Sequence, residues 1–387
     1  MKKVKLLRIT TETYSLRILL KGQLRFMSAN GLDVSMASTP DSHVPELVEN
    51  QNARFFPLYL SRELTPFKDL IALFKTMQLI RKIKPDIVHT HSPKAGIIGM
   101  LAAFLCNVPL KIHTVAGLPL MEVTGPKRTL LNMVESLTYW CADWVTPNSH
   151  ELKSFILDNK LTTDPKKVTV LGNGSSNGID LTYFSATPEL LAESNQFRRA
   201  HQIDEGKLVL GFMGRLAYYK GINELVEAFK ILQKRHTHIV LLLIGGYEDL
   251  NPLEESTKQE IETNQAIISV GHQKDVRKFL AASDIFVFPS YREGFPQALM
   301  QSCAMGLPSI ATNINGCNEM INNDVTGLLI EPKSVDAIVN ACEKLIQDPQ
   351  RSKTMGAAAR DFVIKNFEQQ HLWNDICTFY RDKLKEN

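Results

Sequence analysis

Nowhere does an apolar run in this sequence reach the length needed to cross a bilayer. The longest, Gly96 to Leu110, holds about 15 residues against the roughly 20 that a spanning helix requires, and Asn107 and Pro109 interrupt it. Cysteine is sparse. The six residues Cys106, Cys141, Cys303, Cys317, Cys342 and Cys377 are scattered, without a C-x-x-C. That excludes a disulfide framework and suits reduced thiols filling a core. No Cys, Asp or Glu partner recurs at metal-ligand spacing near the histidines, so no metal is expected. There is no repeat and no low-complexity tract. The start, Met1-Lys-Lys-Val-Lys-Leu-Leu-Arg-Ile-Thr10, is interrupted by Lys5 and Arg8, so it is expected to be a first strand and not a signal peptide, which implies a cytoplasmic protein.

What is there is ordinary globular composition, 44% hydrophobic and 22% charged over 387 residues, enough for two domains. The net charge of +3 hides an asymmetry. Residues 1–185 carry 22 Lys and Arg against 15 Asp and Glu, net +7, and the remainder carries 22 against 26, net −4. A basic first half suits a phosphorylated substrate or a lipid headgroup surface, or is plain solvated surface; nucleic acid is not an expected partner.

Short β-rich runs alternate with helical patterns. The first series predicts strands at Val4–Ile9, Asp33–Ala37, Asp86–Thr90 and Leu110–Thr114, with helices over Leu16–Asn30, Phe67–Ile83 and Gly96–Leu105. A second predicts strands at Leu208–Met213, Ile239–Ile244, Gln265–Val270, Asp284–Phe288 and Ser309–Ala311, with helices at Ile222–Arg235, Val276–Ala282 and Gln297–Met305. Alternation of this kind indicates βαβ units and a parallel, doubly wound sheet in each of two Rossmann-like domains, 1–185 and 186–366. The tail from Phe367 to Asn387, with Leu372, Ile376 and Tyr380 four apart, reads as a helix returning to the first domain. Ligands of such sheets bind beyond the carboxyl ends of the strands, so two facing domains enclose a central cleft between post-strand loops. In the Phe67–Ile83 helix the stripe Phe67, Leu70, Ile71, Phe74 and Ile80 is expected in the core. Lys68, Lys75, Arg81, Lys82 and Lys84 are expected in solvent, with peripheral membrane contact as an addition.

Two loops carry chemistry. Gly211-Phe-Met-Gly-Arg215-Leu-Ala-Tyr-Tyr-Lys220-Gly221 ends a strand, turns at Gly214 and presents two cations five residues apart, a pattern suited to a departing diphosphate or to plain surface. In Phe288-Pro-Ser-Tyr-Arg-Glu293-Gly-Phe-Pro-Gln-Ala-Leu-Met-Gln301, Glu293 precedes Gly294, Phe295 and Pro296. Pro296 can open a helix whose N-terminus favours phosphate. Glu293 there either accepts sugar hydroxyls, with Gln301 reaching the same ligand, or stabilises its own helix.

These motifs, followed by Gly316-Cys-Asn-Glu319 and Thr326-Gly-Leu-Leu329, resemble glycosyltransferase family 4. His89-Thr-His-Ser-Pro-Lys-Ala-Gly96, His113-Thr-Val-Ala-Gly117 and Gly172-Asn-Gly-Ser-Ser-Asn-Gly-Ile-Asp180 are similar to its bacterial surface-polysaccharide branch. The resemblance covers essentially the whole chain. It implies the two-domain GT-B fold and a retaining, metal-independent transferase with a nucleoside-diphosphate sugar as donor and no cofactor. It also implies a lipid-linked acceptor at the inner face of the cytoplasmic membrane. It assigns the diphosphate to Arg215 and Lys220, the donor sugar to Glu293, and the donor lining to Gly214, Gly294, Phe295 and Pro296.

The sequence departs from the family pattern in three places. Gln301 stands where a ribose-binding Glu is usual, Ala116 where a histidine is usual, and Thr10-Thr-Glu-Thr-Tyr-Ser15 lacks the glycines of many members. His113 is thus either a group near the transferred sugar or a satisfied core residue, and His89 and His91 pose the same choice. Lys94 follows Pro93 at a strand-to-helix junction, where it and His91 are candidates for the acceptor side; the alternative for Lys94 is plain surface. Rival readings are a GT-B epimerase or phosphorylase and an inactive sugar-nucleotide-binding homologue. An oxidoreductase is disfavoured because the Gly172–Gly178 loop, though it follows an expected strand over Val168–Leu171, opens no long helix.

Overall fold

Parallel strand pairing organises the whole molecule. A computed structural model describes residues 3–61, 63, 65–118, 120 and 123–386; Asn387, the end of the expected tail, lies outside them. The chain divides into two units, residues 1–178 with 369–387, and residues 179–368. The sequence placed the crossings at 185/186 and 366/367; in the structure Ile179 already pairs with Glu368 in the second unit.

In the first unit the strands are β1 (Val4–Glu12), β2 (Leu32–Thr39), β3 (Arg54–Pro57), β4 (Ile87–His91), β5 (Leu110–Val115) and β6 (Trp144–Pro147). The helices are α1 (Gln23–Ala29), α2 (Val44–Gln51), α3 (Pro66–Ile83), α4 (Pro93–Leu105), α5 (Gly125–Cys141) and α6 (His150–Asp158). The second unit holds α7 (Pro188–Ala200), β7 (Leu208–Met213), α8 (Ile222–Arg235), β8 (Ile239–Ile244), α9 (Glu255–Thr263), β9 (Ile267–Ser269), α10 (Arg277–Ala281) and β10 (Ile285–Phe288). It continues with α11 (Gln297–Ala304), β11 (Ser309–Thr312), α12 (Cys317–Met320), β12 (Gly327–Ile330), α13 (Val335–Gln347) and α14 (Pro349–Phe367). Helix α15 (Gln369–Glu386) belongs to the first unit.

The sheet orders are β3-β2-β1-β4-β5-β6 and β12-β11-β10-β7-β8-β9. Numbered from their own first strands, both are the doubly wound 3-2-1-4-5-6. Each reverses direction between its first and fourth strand, the switch point where such sheets bind ligands. Strands buried on both faces commonly read as near-continuous apolar runs, and β8, Ile-Val-Leu-Leu-Leu-Ile, is buried at every position.

Alternation along β1 sends Leu7 and Ile9 into the cluster under α3–α5, and Leu6 into the one that Leu372, Ile376 and Tyr380 of α15 complete. Arg8, 1% exposed, also reaches α15, donating to the Tyr380 hydroxyl at 3.1 Å and to the Gln23 side-chain carbonyl. From there a buried polar row crosses the sheet. His89 meets Tyr380 at 2.5 Å and the Thr114 hydroxyl at 2.6 Å, and Thr114 meets Thr146 at 2.8 Å. A cavity of about 20 Å³ beside this row, lined by Arg8, His89, Thr114, Thr146 and Ser175, has the size of a single water.

Three expectations need correction. The helix over Leu16–Asn30 is broken: Ser15–Leu19 forms a π-turn and α1 restarts after Gly22. Gly22 has φ of 80°, and an added Cβ would lie 2.9 Å from the Trp373 ring. The strand over Val168–Leu171 reduces to a single bridge, Val145 to Val168. The third concerns α3. Its buried positions are Ala72, Thr76, Ile80 and Ile83, while Phe67, Leu70, Ile71 and Phe74 are 87, 52, 56 and 57% exposed. Ile80 lies 13 residues beyond Phe67, and at about 100° per residue that puts the two on opposite faces. Helix α3 buries its smaller residues and turns its largest outward.

Because the Tyr380 hydroxyl serves both Arg8 and His89, Tyr380→Phe leaves two buried polar groups short of a partner. The expected cost is about 1–3 kcal/mol in denaturant or thermal unfolding, with no loss of α-helical signal.

Candidate functional site

At the switch point of the second sheet, the loops after β7 and β10 are locked together. Gly221, with φ of 71°, sits so close to Pro289 that an added Cβ would lie 2.1 Å from its carbonyl oxygen. The Tyr291 amide donates to the Tyr219 carbonyl at 2.8 Å, and the Thr312 hydroxyl donates to the Ser290 carbonyl. Asn315 donates to the Glu293 and Gly294 carbonyls at 2.9 and 3.1 Å. Gly316, φ 78°, leaves room where a Cβ would meet the Gly294 carbonyl oxygen at 2.4 Å. Backbone, and not side-chain bulk, sets this constellation.

This framework brings Lys220 and Glu293 into a direct ion pair, each side chain 13% exposed. The ammonium also lies 5.3 Å from the Phe288 ring centre and 5.6 Å from that of Tyr219. Arg215, 61% exposed, pairs with Glu248 at 2.7 Å and donates to the Tyr219 hydroxyl, which also lies 3.3 Å from Glu248. Arg292 stacks 4.1 Å from the Tyr219 ring. Burial pushes the Tyr219 phenol up to about 12, so it stays a neutral hydrogen-bonding group. Three cations therefore surround one tyrosine, and two of them are held by carboxylates that an anionic ligand would displace.

Gly214, Gly294, Phe295 and Pro296 belong to the same loops. Phe295 anchors its loop with its ring 5.2 Å from Phe367, and Pro296 is the residue on which α11 opens. Gln301 is half-buried on α11. Sequence reasoning missed Glu248, Tyr219 and Asn315. For Glu248 a signal existed, since it follows β8 in Gly245-Gly-Tyr-Glu248, and an added Cβ at Gly245 would lie 1.8 Å from the Gly214 carbonyl oxygen. That contact seats the β8 loop on the β7 loop.

The first-unit candidates form a separate group. His113 is 2% exposed, shares a hydrogen with the Thr90 hydroxyl at 2.8 Å, and packs on Gly96, where an added Cβ would lie 2.5 Å from the imidazole. His91 is equally buried, and neither ring nitrogen meets a partner among the described residues. Lys94 is not a surface lysine: 9% exposed, it pairs with Asp69 of α3 at 2.7 Å. Burial pushes His113 down to about 3; burial, and then Arg8, do the same to His91 and take His89 well below its ordinary range. Burial holds Glu135 up, at about 7.

Neutral burial of these three histidines stabilises the first unit fully above pH 6.5, and that contribution falls as the unfolded chain gains protons below it. Each contributes a slope of about 1.4 kcal/mol per pH unit. Glu135 acts in the opposite sense, favouring the folded state more as pH drops from 7 to 4.5, and offsets about one histidine. The melting temperature is expected to fall from pH 6.5 to 4.5, and more steeply in Glu135→Gln.

Comparison with known proteins identifies the family. Residues 193–362 match the family described as glycosyl transferases group 1, and residues 21–174 match the glycosyl transferase 4-like domain. The chain is 34% identical over 387 residues to the capsular polysaccharide biosynthesis glycosyltransferase CapM of Staphylococcus aureus, covering 100% of this chain and 99% of that one. It is 29% identical over 356 residues to the UDP-Gal:alpha-D-GlcNAc-diphosphoundecaprenol alpha-1,3-galactosyltransferase of Escherichia coli, covering 91% and 89%. Among solved structures, Anabaena HepE in complex with UDP superposes with a TM-score of 0.81 at 17% identity, covering 98% of this chain and 100% of that one. With its two doubly wound sheets, the chain belongs to glycosyltransferase family 4, in the branch that includes bacterial surface-polysaccharide transferases, and has the GT-B fold.

Proposed function

We propose that this glycosyltransferase moves a hexosyl or N-acetylhexosaminyl group from a nucleoside-diphosphate sugar, UDP in preference to GDP, to a polyprenyl-diphosphate-linked sugar. The anomeric configuration is retained and no metal ion takes part. The observation that carries the reading is the pairing of Lys220 with Glu293 and of Arg215 with Glu248, both around Tyr219, at the switch point of the second sheet. Support for the donor and acceptor comes from the E. coli relative, whose name specifies UDP-Gal and a diphosphoundecaprenol-linked sugar.

In this reading the ion pairs are the resting state of the site. The donor diphosphate takes the Lys220 ammonium and the Arg215 guanidinium from Glu293 and Glu248. Glu293, relieved of its partner, accepts hydrogen bonds from the sugar hydroxyls. As the bond from the anomeric carbon to the diphosphate oxygen breaks, its electron pair leaves with the diphosphate, where the two cations meet the growing charge. The acceptor hydroxyl attacks on the same face, and its proton passes to the departing diphosphate. Catalysis then rests on charge placement, and no protein nucleophile is used.

Arg215→Ala and Lys220→Ala are each expected to lower kcat at saturating donor by about 100- to 1,000-fold. Among the described residues no three His, Cys, Asp or Glu side chains gather to hold a metal ion, and turnover in excess EDTA is expected to match the untreated rate. Full turnover in both cation variants would remove Arg215 and Lys220 from the reaction. Conversion of the donor into an isomeric nucleotide sugar without acceptor would identify an epimerase instead.

A further inference from the structure

The outward face of the first unit is more apolar than solvent contact explains. On α3 the residues Phe67, Leu70, Ile71, Phe74, Lys75, Gln78, Arg81 and Lys82 fall on one stripe, exposed throughout. The stripe is apolar over its first two turns and carries three cations over the rest. On α5 the outward stripe is Leu130, Met133, Leu137 and Trp140, 47, 66, 43 and 58% exposed. Helix α4 packs against both α3 and α5. It closes the space between them with half-buried Ile97 and Leu101 and exposed Phe104, whose ring lies 4.7 Å from that of Trp140. Beside α3, Tyr59 is 64% exposed, with the Lys75 ammonium 5.9 Å from its ring centre. Exposed apolar surface this continuous marks an interaction site.

We propose that the outer faces of α3, α4 and α5 dock onto an anionic lipid bilayer. Charge selects this occupant. The only carboxylates on the three helices are Asp69, held by Lys94, and Glu135, which is buried, so the outer face is cationic. Two copies meeting through this face would set like charges against each other, which opposes a self-interface. A bilayer accepts both features, with Phe67, Phe74, Met133 and Trp140 entering the headgroup boundary while Lys75, Arg81 and Lys82 meet lipid phosphates. None of the three helices needs to span the membrane, and among the described residues no helix is long and apolar enough to do so. The surface would bring the enzyme to a lipid-linked acceptor, yet it stands independently of the transfer chemistry, and lipid binding is measured without any sugar transfer.

The test is flotation of the full chain with vesicles of phosphatidylcholine alone or mixed with phosphatidylglycerol, beside sedimentation of the lipid-free protein. Co-flotation with the phosphatidylglycerol vesicles is expected, with much less on neutral ones. Phe67→Ser with Phe74→Ser, Met133→Ser with Trp140→Ser, and Lys75→Glu with Lys82→Glu should each weaken partitioning by about tenfold or more. All six side chains are solvent-exposed, so the wild-type melting temperature should persist and separates lost docking from lost folding. Absence of binding to phosphatidylglycerol vesicles, or equal binding by all variants, overturns the proposal. A lipid-free dimer abolished by these same substitutions, with no flotation, overturns it in favour of self-association.

Discussion

Parallel pairing is the constraint from which the rest of this molecule follows. When every strand of a sheet runs the same way, all carboxyl ends lie on one edge, and each crossover helix delivers a new loop to that edge. In the second unit the loops after β7, β8, β10 and β11 meet there, bringing together Arg215, Lys220, Glu248, Glu293 and Asn315 from positions up to 100 residues apart. The glycines at 221, 245 and 316 let backbone press on backbone where any Cβ would collide. That close approach fixes the charged side chains to within ion-pair distance.

The same constraint gives the first unit a different interior. Its central strands bury polar residues, and in the row of Arg8, His89, Thr114 and Thr146 both Arg8 and His89 bond to the hydroxyl of Tyr380, which the last helix supplies. Helix α15 follows α14 of the second unit with a single residue between them, yet buries Leu372, Ile376 and Tyr380 against the first sheet. Burial keeps His89, His91 and His113 neutral near neutral pH; His89 and His113 hydrogen-bond within the unit, to Tyr380 and Thr114 and to Thr90, whereas neither ring nitrogen of His91 meets a partner among the described residues.

Much of this was legible in the sequence. Short β-branched runs separated by helical periods give two doubly wound sheets, and the G-R-L-x-x-x-K-G and E-G-F-P motifs mark the loops that meet at the second switch point. What the sequence hid depends on partners distant in the chain. Lys94 reads as either an acceptor-side candidate or a plain surface cation, and its pairing with Asp69, 25 residues earlier, is visible only in the fold. The apolar stripe of α3 reads as core because pattern alone does not say which face of a helix meets the sheet. Only the packing of Ala72 and Thr76 inward reveals that the large side chains point out. Glu248 and Asn315 lie in loops whose register is set by carbonyl contacts at Gly245 and Gly316, which residue type alone does not disclose.

The central claim is that the charged cluster of the second unit holds a nucleoside diphosphate. Thermal unfolding with UDP, GDP and NAD, on the native chain and on Lys220→Ala, tests it most directly. A ligand at about 100 times its Kd adds roughly 2.7 kcal/mol of stability. The account predicts such a shift with UDP, none with NAD, and a much smaller UDP shift in the Lys220 variant. A shift with NAD alone, or a UDP shift untouched by the loss of Lys220, would contradict it.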